Sequence, residues 1–512
     1  MLNQAKNDDG SIHRHPERVK RVEGSQSIFL VGIKGVAMTN LALILKKMGN
    51  EVTGSDLAEK FITDDLLKKN KITWRQGFDP KKLPLNTDLV IYSAAHLGDK
   101  NPQIVKAKKR GIKVISQAEL LGQLSKQFKN TIAVCGCHGK TTTSSLLAYT
   151  LLKLGANPSY MVGSSSFNKY PGGDYNGNEY FIVEADEYGV NPPQDKTVKF
   201  HLLNPDYILC TNIDFDHPDI YENINAVKKS FLKFFSKNVS INRPVLSQVE
   251  GLIDTSMNFC ADDENLMSVA KKLPRKSYLT YGYSSFADLR IIKYQVGIEG
   301  SSFQLQFKKN RHSGLSRIDS GVASFPRMTI KLLGEKNISN TVGVILTLLT
   351  LGFDPEKIKL AIKDFTGAKR RFEKVYSENS TFLFDDYAHH PNEIKATISA
   401  ARSRFPKRRI VIIFQPHTYS RTQVLLKDFA ESLSLADIAL ILPIFPSARE
   451  NPKNYNTTSR DIAKFNPNKL IYINSKSQLL LHLKSYIKPL DIIFTLGAGD
   501  VYKLKDDIIE II

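Results

Sequence analysis

The sequence predicts an α/β protein of three domains. Apolar runs of strand length alternate with helical patterns along nearly the whole chain, and the alternation starts afresh at Thr131 and near Gly367. The chain has 512 residues, 42% of them hydrophobic, enough for two to four domains that each bury a core.

Residues 1–25 are polar with no apolar stretch of the signal-peptide kind, and read as a flexible tail. Residues 26–128 are expected to form a Rossmann-like domain. Ser27–Val31 is an apolar strand ending in Gly32-Ile33-Lys34-Gly35; a helix follows through Lys47, then a second strand ends at Asp56. Further strands at 88–93 and 113–116 fit a parallel sheet. A dinucleotide fingerprint needs glycine at 34 and 37, where the chain has Lys34 and Ala37, so NAD is disfavoured. The glycine turn still offers a helix N-terminus to a pyrophosphate, and Asp56 is placed to bond a ribose hydroxyl.

Residues 129–366 are expected to be a P-loop ATPase-type α/β domain. A buried strand at 132–135 runs into a glycine turn, a helix covers 141–154, and Gly155 stops it. Strands at 180–184 and 207–212 both end in polar residues, where open α/β sheets bind ligands. From about 275 to 333 the pattern becomes alternating strand, as in Phe303-Gln304-Leu305-Gln306-Phe307; polar residues 309–322 read as a flexible hairpin or loop. Residues 367–512 carry strands at 381–385, 409–414, 438–442, 470–473 and 491–495, separated by helices at 392–404, 422–435 and 477–486. That predicts a second Rossmann-like parallel sheet.

Seventy-one Lys+Arg against 51 Asp+Glu give a net charge of +20, which favours anionic partners. No stacking platform or reading helix accompanies the charge, so phosphorylated metabolites are expected rather than nucleic acid. Four cysteines make no disulfide pattern and imply a reduced, cytoplasmic protein. No apolar run approaches a membrane span, so no membrane partner is expected.

The strongest chemical signal is Gly136-Cys137-His138-Gly139-Lys140-Thr141-Thr142 after a buried strand. Such a turn wraps backbone N–H groups around a phosphate; Lys140 adds a point charge, and the Thr141 hydroxyl suits Mg²⁺. Glu184, Asp186 and Glu187 end a buried strand, where charge is costly unless it is solvated, paired or metal-bound. His217 follows Asp214 and Asp216 at the end of another strand. An N-cap cluster is the plain reading, but beside a phosphate loop a divalent cation becomes the better one. His389 and His390 follow Asp385-Asp386-Tyr387-Ala388; no cysteine or second histidine pair completes a zinc spacing. Lys369-Arg370-Arg371 stands at a domain junction, where it could reach a γ-phosphate.

In this order the motifs resemble the Mur ligases, ATP-dependent amide ligases of peptidoglycan precursor synthesis, over nearly the whole chain. The resemblance implies ATP and Mg²⁺ as cofactors. It makes 136–142 the phosphate loop, Thr141, Glu184 and His217 the metal positions, and Asn337 and Asn340 the pair near adenine. Arg371 and Asp386 match functional positions of the last domain. By the same resemblance Gly32, Gly35, Asp56 and Ser93 would hold a UDP-sugar, and Tyr387, His389 and Arg421 the amino acid. Stretches 414–422 and 497–500 look like the member that adds L-alanine to UDP-N-acetylmuramate. Stretches 184–188 and 215–219 lean toward the member that attaches a recycled L-alanyl-γ-D-glutamyl-diaminopimelate tripeptide. The third domain selects the incoming amine in this family, so L-alanine is the expected partner, through an acyl phosphate. Lys140, Glu184, His217, Arg371 and Asp386 are the expected catalytic set, in a monomer or homodimer. A nucleic-acid-dependent P-loop ATPase is the alternative of another class.

Overall fold

A computed structural model describes residues 24–239, 256–297, 299–307, 325–378, 380–447 and 450–512. The expectations for residues 1–23 and for the loop at 309–322 lie outside the described residues.

The chain forms three large sheets in succession. The first has the order Thr73–Gln76, Glu51–Asp56, Ser27–Val31, Leu89–Tyr92, Lys113–Ser116, and every pairing is parallel. Strand order reverses about Ser27–Val31, so the crevice beyond its carboxyl end opens at Gly32. The second sheet has ten strands. It is parallel from Leu289–Val296 across to Ser159–Phe167, with antiparallel strands at both edges. Its central strand Asn130–Cys135 is buried from Thr131 onward, as expected of an interior strand of a parallel sheet. Strand Ser301–Phe307, second from the edge beside Met328–Ile330, alternates between buried and half-buried positions, as its sequence alternation requires.

The third sheet has six strands, from Glu373–Glu378 through Thr381–Asp386, Ile492–Leu496, Ile410–Phe414 and Ile438–Ile441 to Leu470–Tyr472. It is parallel except at Glu373–Glu378, which pairs antiparallel with Thr381–Asp386. That strand is polar and largely exposed, so no apolar period announced it. The helix expected at 422–435 is two helices, Tyr419–Val424 and Leu426–Leu433. The first begins early because the Thr418 hydroxyl accepts from Arg421 N and caps it.

One apolar core runs continuously through the first two sheets, the first sheet carries a second, smaller core around Phe29, Val31 and Val90, and the third sheet carries two separate cores. Helix Val36–Lys47 locks the first sheet to the second: Asn40 Nδ2 donates to Val162 O and Ser164 O, each at 2.9 Å. All four cysteines are free and buried. Among the described residues no helix is long and apolar enough to cross a membrane.

Candidate active site

The carboxyl ends of the central strands face the third sheet, and the polar residues of both meet there. Strand Asn130–Cys135 delivers the chain into Gly136, whose φ is +124°. A Cβ there would stand 2.2 Å from Thr211 Oγ1, so only glycine lets the loop pass. Gly139, at φ +82°, ends the turn as the N-cap of helix Lys140–Lys153 and packs against the Asn340 amide. Cys137 is buried, its thiol against Asp214 O at 3.1 Å.

Lys140 Nζ donates to Gly136 O at 2.7 Å and to both Glu187 oxygens at 2.9 and 2.7 Å. Burial opposes its charge, but Glu187 and Asp186 more than offset this and keep the ammonium firmly protonated. Thr141 Oγ1 donates to Glu184 Oε1 at 2.8 Å and accepts from Arg371 at 3.0 Å, across the junction with the third sheet. The second Glu184 oxygen is buried without a hydrogen-bond partner, and burial raises the pKa of this carboxyl. A hydroxyl, a carboxylate with a spare oxygen and a phosphate loop are the donor set a hard divalent cation takes. Arg371 stacks on Tyr387 at 5.0 Å, and Asp386 accepts from Phe372 N and Ala388 N, fixing the backbone on both sides of that ring. Burial lifts the Asp386 carboxyl to a pKa of about 6.

A second cluster lies beside the first. His138 Nε2 bonds Asp214 Oδ2 at 2.8 Å, and its ring lies 4.5 Å from that of His390. Although burial disfavours the imidazolium, Asp214 and Glu393 raise its pKa to about 10. Arg421 is buried with Nε and a terminal nitrogen each 2.8 Å from Asp216 Oδ1, an ion pair between central and third sheets. His389 directs Nδ1 at Tyr387 O, 2.9 Å away; burial and Arg421 lower its pKa to about 4 against the pull of Glu393.

Family models match in sequence order: the "Mur ligase family, catalytic domain" over 27–129, the "Mur ligase middle domain" over 134–348 and the "Mur ligase, glutamate ligase domain" over 370–499. The chain belongs to the Mur ligase family. It is 35% identical over 487 residues to a UDP-N-acetylmuramate–L-alanine ligase of Caldicellulosiruptor saccharolyticus, covering 94% of this chain and 98% of that one. A protein of the same name from Caldanaerobacter subterraneus subsp. tengcongensis is 34% identical, with 96% and 98% covered. The fold is that of the solved UDP-N-acetylmuramate–alanine ligase of Thermotoga maritima (TM-score 0.73, 24% identity, 95% and 98% covered). It is also that of a murein peptide ligase from Psychrobacter arcticus (TM-score 0.70, 22% identity, 95% and 98% covered).

In this Mur ligase, Gly136, Lys140, Thr141, Glu184 and Arg371 converge, with Thr142 half-buried in the same first helical turn. His217, at φ +60°, lies on the Lys140 side instead, its Nε2 3.8 Å from Glu187 and 3.7 Å from Asp216. Asn337 and Asn340 sit in the opening turns of helix Glu335–Thr350, and Asn337 donates to Leu333 O. Gly32 lies against the His96 ring and the Ser93 hydroxyl, and Gly35 caps helix Val36–Lys47. Asp56 has a task the sequence reading did not give it: its oxygens accept from Lys34 N and Leu57 N, tying the glycine turn to the following loop. Glu187, Asp214 and Glu393 join the site without having been in the expected set. Glu187 carried a signal, a carboxylate next to Glu184 at a strand end; Glu393 carried none beyond an acidic first helical turn. Among the described residues, one group of three metal-ligand side chains converges, His138, Asp214 and His390, and it shares no member with Thr141, Glu184 and His217.

Proposed function

We propose that this Mur ligase joins L-alanine to the lactyl carboxylate of UDP-N-acetylmuramate, converting ATP to ADP and phosphate. The observation that carries the reading is the 35% identity over 94% of the chain to a ligase so named. The phosphate loop facing Arg371 across the domain junction supports the ATP half of it.

A lactyl oxygen attacks the γ-phosphorus of ATP, the bond to the β-phosphate oxygen breaks, and ADP leaves. The amine of L-alanine then attacks the acyl carbon, loses its proton, and phosphate departs from the tetrahedral intermediate. Lys140 and the glycine-turn N–H groups would hold the β- and γ-phosphates, and Arg371 would offset charge on the group in flight. Thr141 and Glu184 would hold one Mg²⁺ and His217, on the Lys140 side, a second; the chemistry such ions supply is to neutralise phosphate charge. Asn337 and Asn340 would take the adenine, Asn340 from beside Gly139, and the turn at Gly32, Gly35 and Ser93 would take the UDP-sugar. Asp386 fixes the backbone that carries Arg371 and Tyr387. Tyr387 and His389 would place the amine, and Arg421, already turned into the junction by Asp216, would hold its carboxylate. No enzyme nucleophile is required; the work is alignment of two substrates and exclusion of water. Four free thiols suit a reducing compartment, and the cytoplasm is the location we propose. Three domains, 26–128, 129–366 and 367–512, in a monomer or homodimer, complete the reading.

The test is ADP release with Mg-ATP and UDP-N-acetylmuramate, adding L-alanine, glycine, L-serine or the free tripeptide in separate reactions. Release with L-alanine at the lowest concentration is the expected result. Release with the tripeptide alone would overturn the choice of amine.

A further inference from the structure

Glu393 stands in the first turn of helix Pro391–Arg404, and its two carboxylate oxygens face different parts of the site. Oε2 accepts from the backbone N–H of His389 at 3.0 Å and of His390 at 3.3 Å, and lies 3.3 Å from His389 Nδ1. Oε1 lies 3.4 Å from Nδ1 of His138, inside the phosphate loop. The other His138 nitrogen is held by Asp214 at 2.8 Å. One carboxylate therefore faces the phosphate-loop imidazole with one oxygen, at ion-pair rather than hydrogen-bond geometry, and accepts from the backbone of His389 with the other. Helix capping accounts for Oε2 alone; it does not call for a phosphate-loop imidazole on Oε1.

We propose that Glu393 is a positioning residue that couples the phosphate loop to the amino-acid side of the site, through His138 on one side and His389 on the other. The inference rests on the reading of His389 as an amino-acid contact. The charges agree with the geometry. Burial opposes ionisation of Glu393, but His389 and His138 hold it well below the usual carboxylate range. The buried junction does not depend on this contact alone. Asn392 Nδ2 donates to Asp214 Oδ2, His390 Nε2 reaches Phe215 O at 3.3 Å, and Arg421 pairs with Asp216. Loss of the Glu393 charge should therefore loosen the placement of His389 relative to the loop without parting the domains.

Glu393→Gln separates the two roles. A glutamine oxygen still accepts from the His389 and His390 N–H groups, but it cannot balance the His138 imidazolium. The experiment compares wild type, Glu393→Gln, His138→Gln and the double variant, reading KM for L-alanine, KM for ATP, kcat and melting temperature. Expected is a rise of about tenfold in the L-alanine KM of Glu393→Gln, the size of one lost charge-assisted contact, with a smaller change in kcat and little change in melting. The double variant is expected to be no worse in that KM than the worse single one, because both changes remove the same contact. Multiplying effects, or a melting change with the KM unmoved, would overturn the proposal. Should wild type turn over the tripeptide instead of L-alanine, the choice of amine fails, and the same cycle run with that amine still decides the role of Glu393.

Discussion

Gly163 is where a single methyl group tests the cation site most directly. It lies in strand Ser159–Phe167, and no left-handed backbone angle prevents a side chain there. A Cβ at this position would stand 2.2 Å from Glu184 Oε2 and 2.7 Å from Thr141 Oγ1. Ordinary van der Waals contact begins at 3.4 Å, so the first distance falls short by roughly 1.2 Å or more. The strand is pinned by Asn40 through the carbonyls of Val162 and Ser164, so the Glu184 carboxylate must be the part that yields. Its Oε1 is held by the Thr141 hydroxyl, so the retreat also drags the hydroxyl that opens the phosphate-loop helix. A displacement of about 1 Å in a catalytic group costs on the order of a hundredfold in rate. Gly163→Ala is thus expected to lower kcat about a hundredfold and to raise the Mg²⁺ concentration needed for half-maximal rate. Melting should shift by no more than about 4 °C, since an alanine is compatible with strand geometry. The assay is ADP release against Mg²⁺ concentration at saturating ATP and UDP-N-acetylmuramate. An unchanged rate and Mg²⁺ dependence would refute the assignment of Glu184 and Thr141 to the cation.

Three further outcomes follow from buried charges. Lys140→Met should abolish turnover and lower stability by about 3–5 kcal/mol, because the buried Glu187 loses its partner; Lys140→Met with Glu187→Gln should regain most of the stability and none of the activity. Denaturant melts and ADP release check both, and a double variant as unstable as the single would contradict the pairing. Arg421→Ala should raise the KM for L-alanine about 10- to 100-fold and leave Asp216 buried and unpaired; an unmoved KM would remove Arg421 from the amino-acid site. The His138 pKa of about 10 exceeds the unfolded value near 6.5, so its stabilising contribution is complete below about pH 6.5 and is lost as pH rises toward 10. His138→Gln should flatten stability across that alkaline window, as measured by urea denaturation at several pH values.

The local chemistry was legible because it lies in contiguous residues. A phosphate loop is one strand end, a few glycines and one helix start, and positions 135–142 supply all of them within eight residues. Apolar periodicity likewise gave many of the parallel strands their places, since burial on both faces demands unbroken apolar runs, but it gave none to Thr73–Gln76, Ser159–Phe167 or Met257–Cys260. It failed where that demand lapses: at the polar edge strand Glu373–Glu378, and at the break after Val424, where the Thr418 cap moved the helix start.

What the sequence by itself determined is therefore the three-domain α/β class, many of its elements, and the residues capable of phosphate, cation and carboxylate chemistry. Only the tertiary structure decided their partners. Arg371 meets Thr141 from 230 positions away and Arg421 meets Asp216 from 205. Asp56 binds the glycine turn, Lys140 rests on Glu187, and one carboxylate, Glu393, spans His138 and His389. Periodicity records which face of an element is buried. Which charge waits on the opposing face is set by how the sheets pack, because the cost of burying a charge is met by whichever opposite charge the packing brings near.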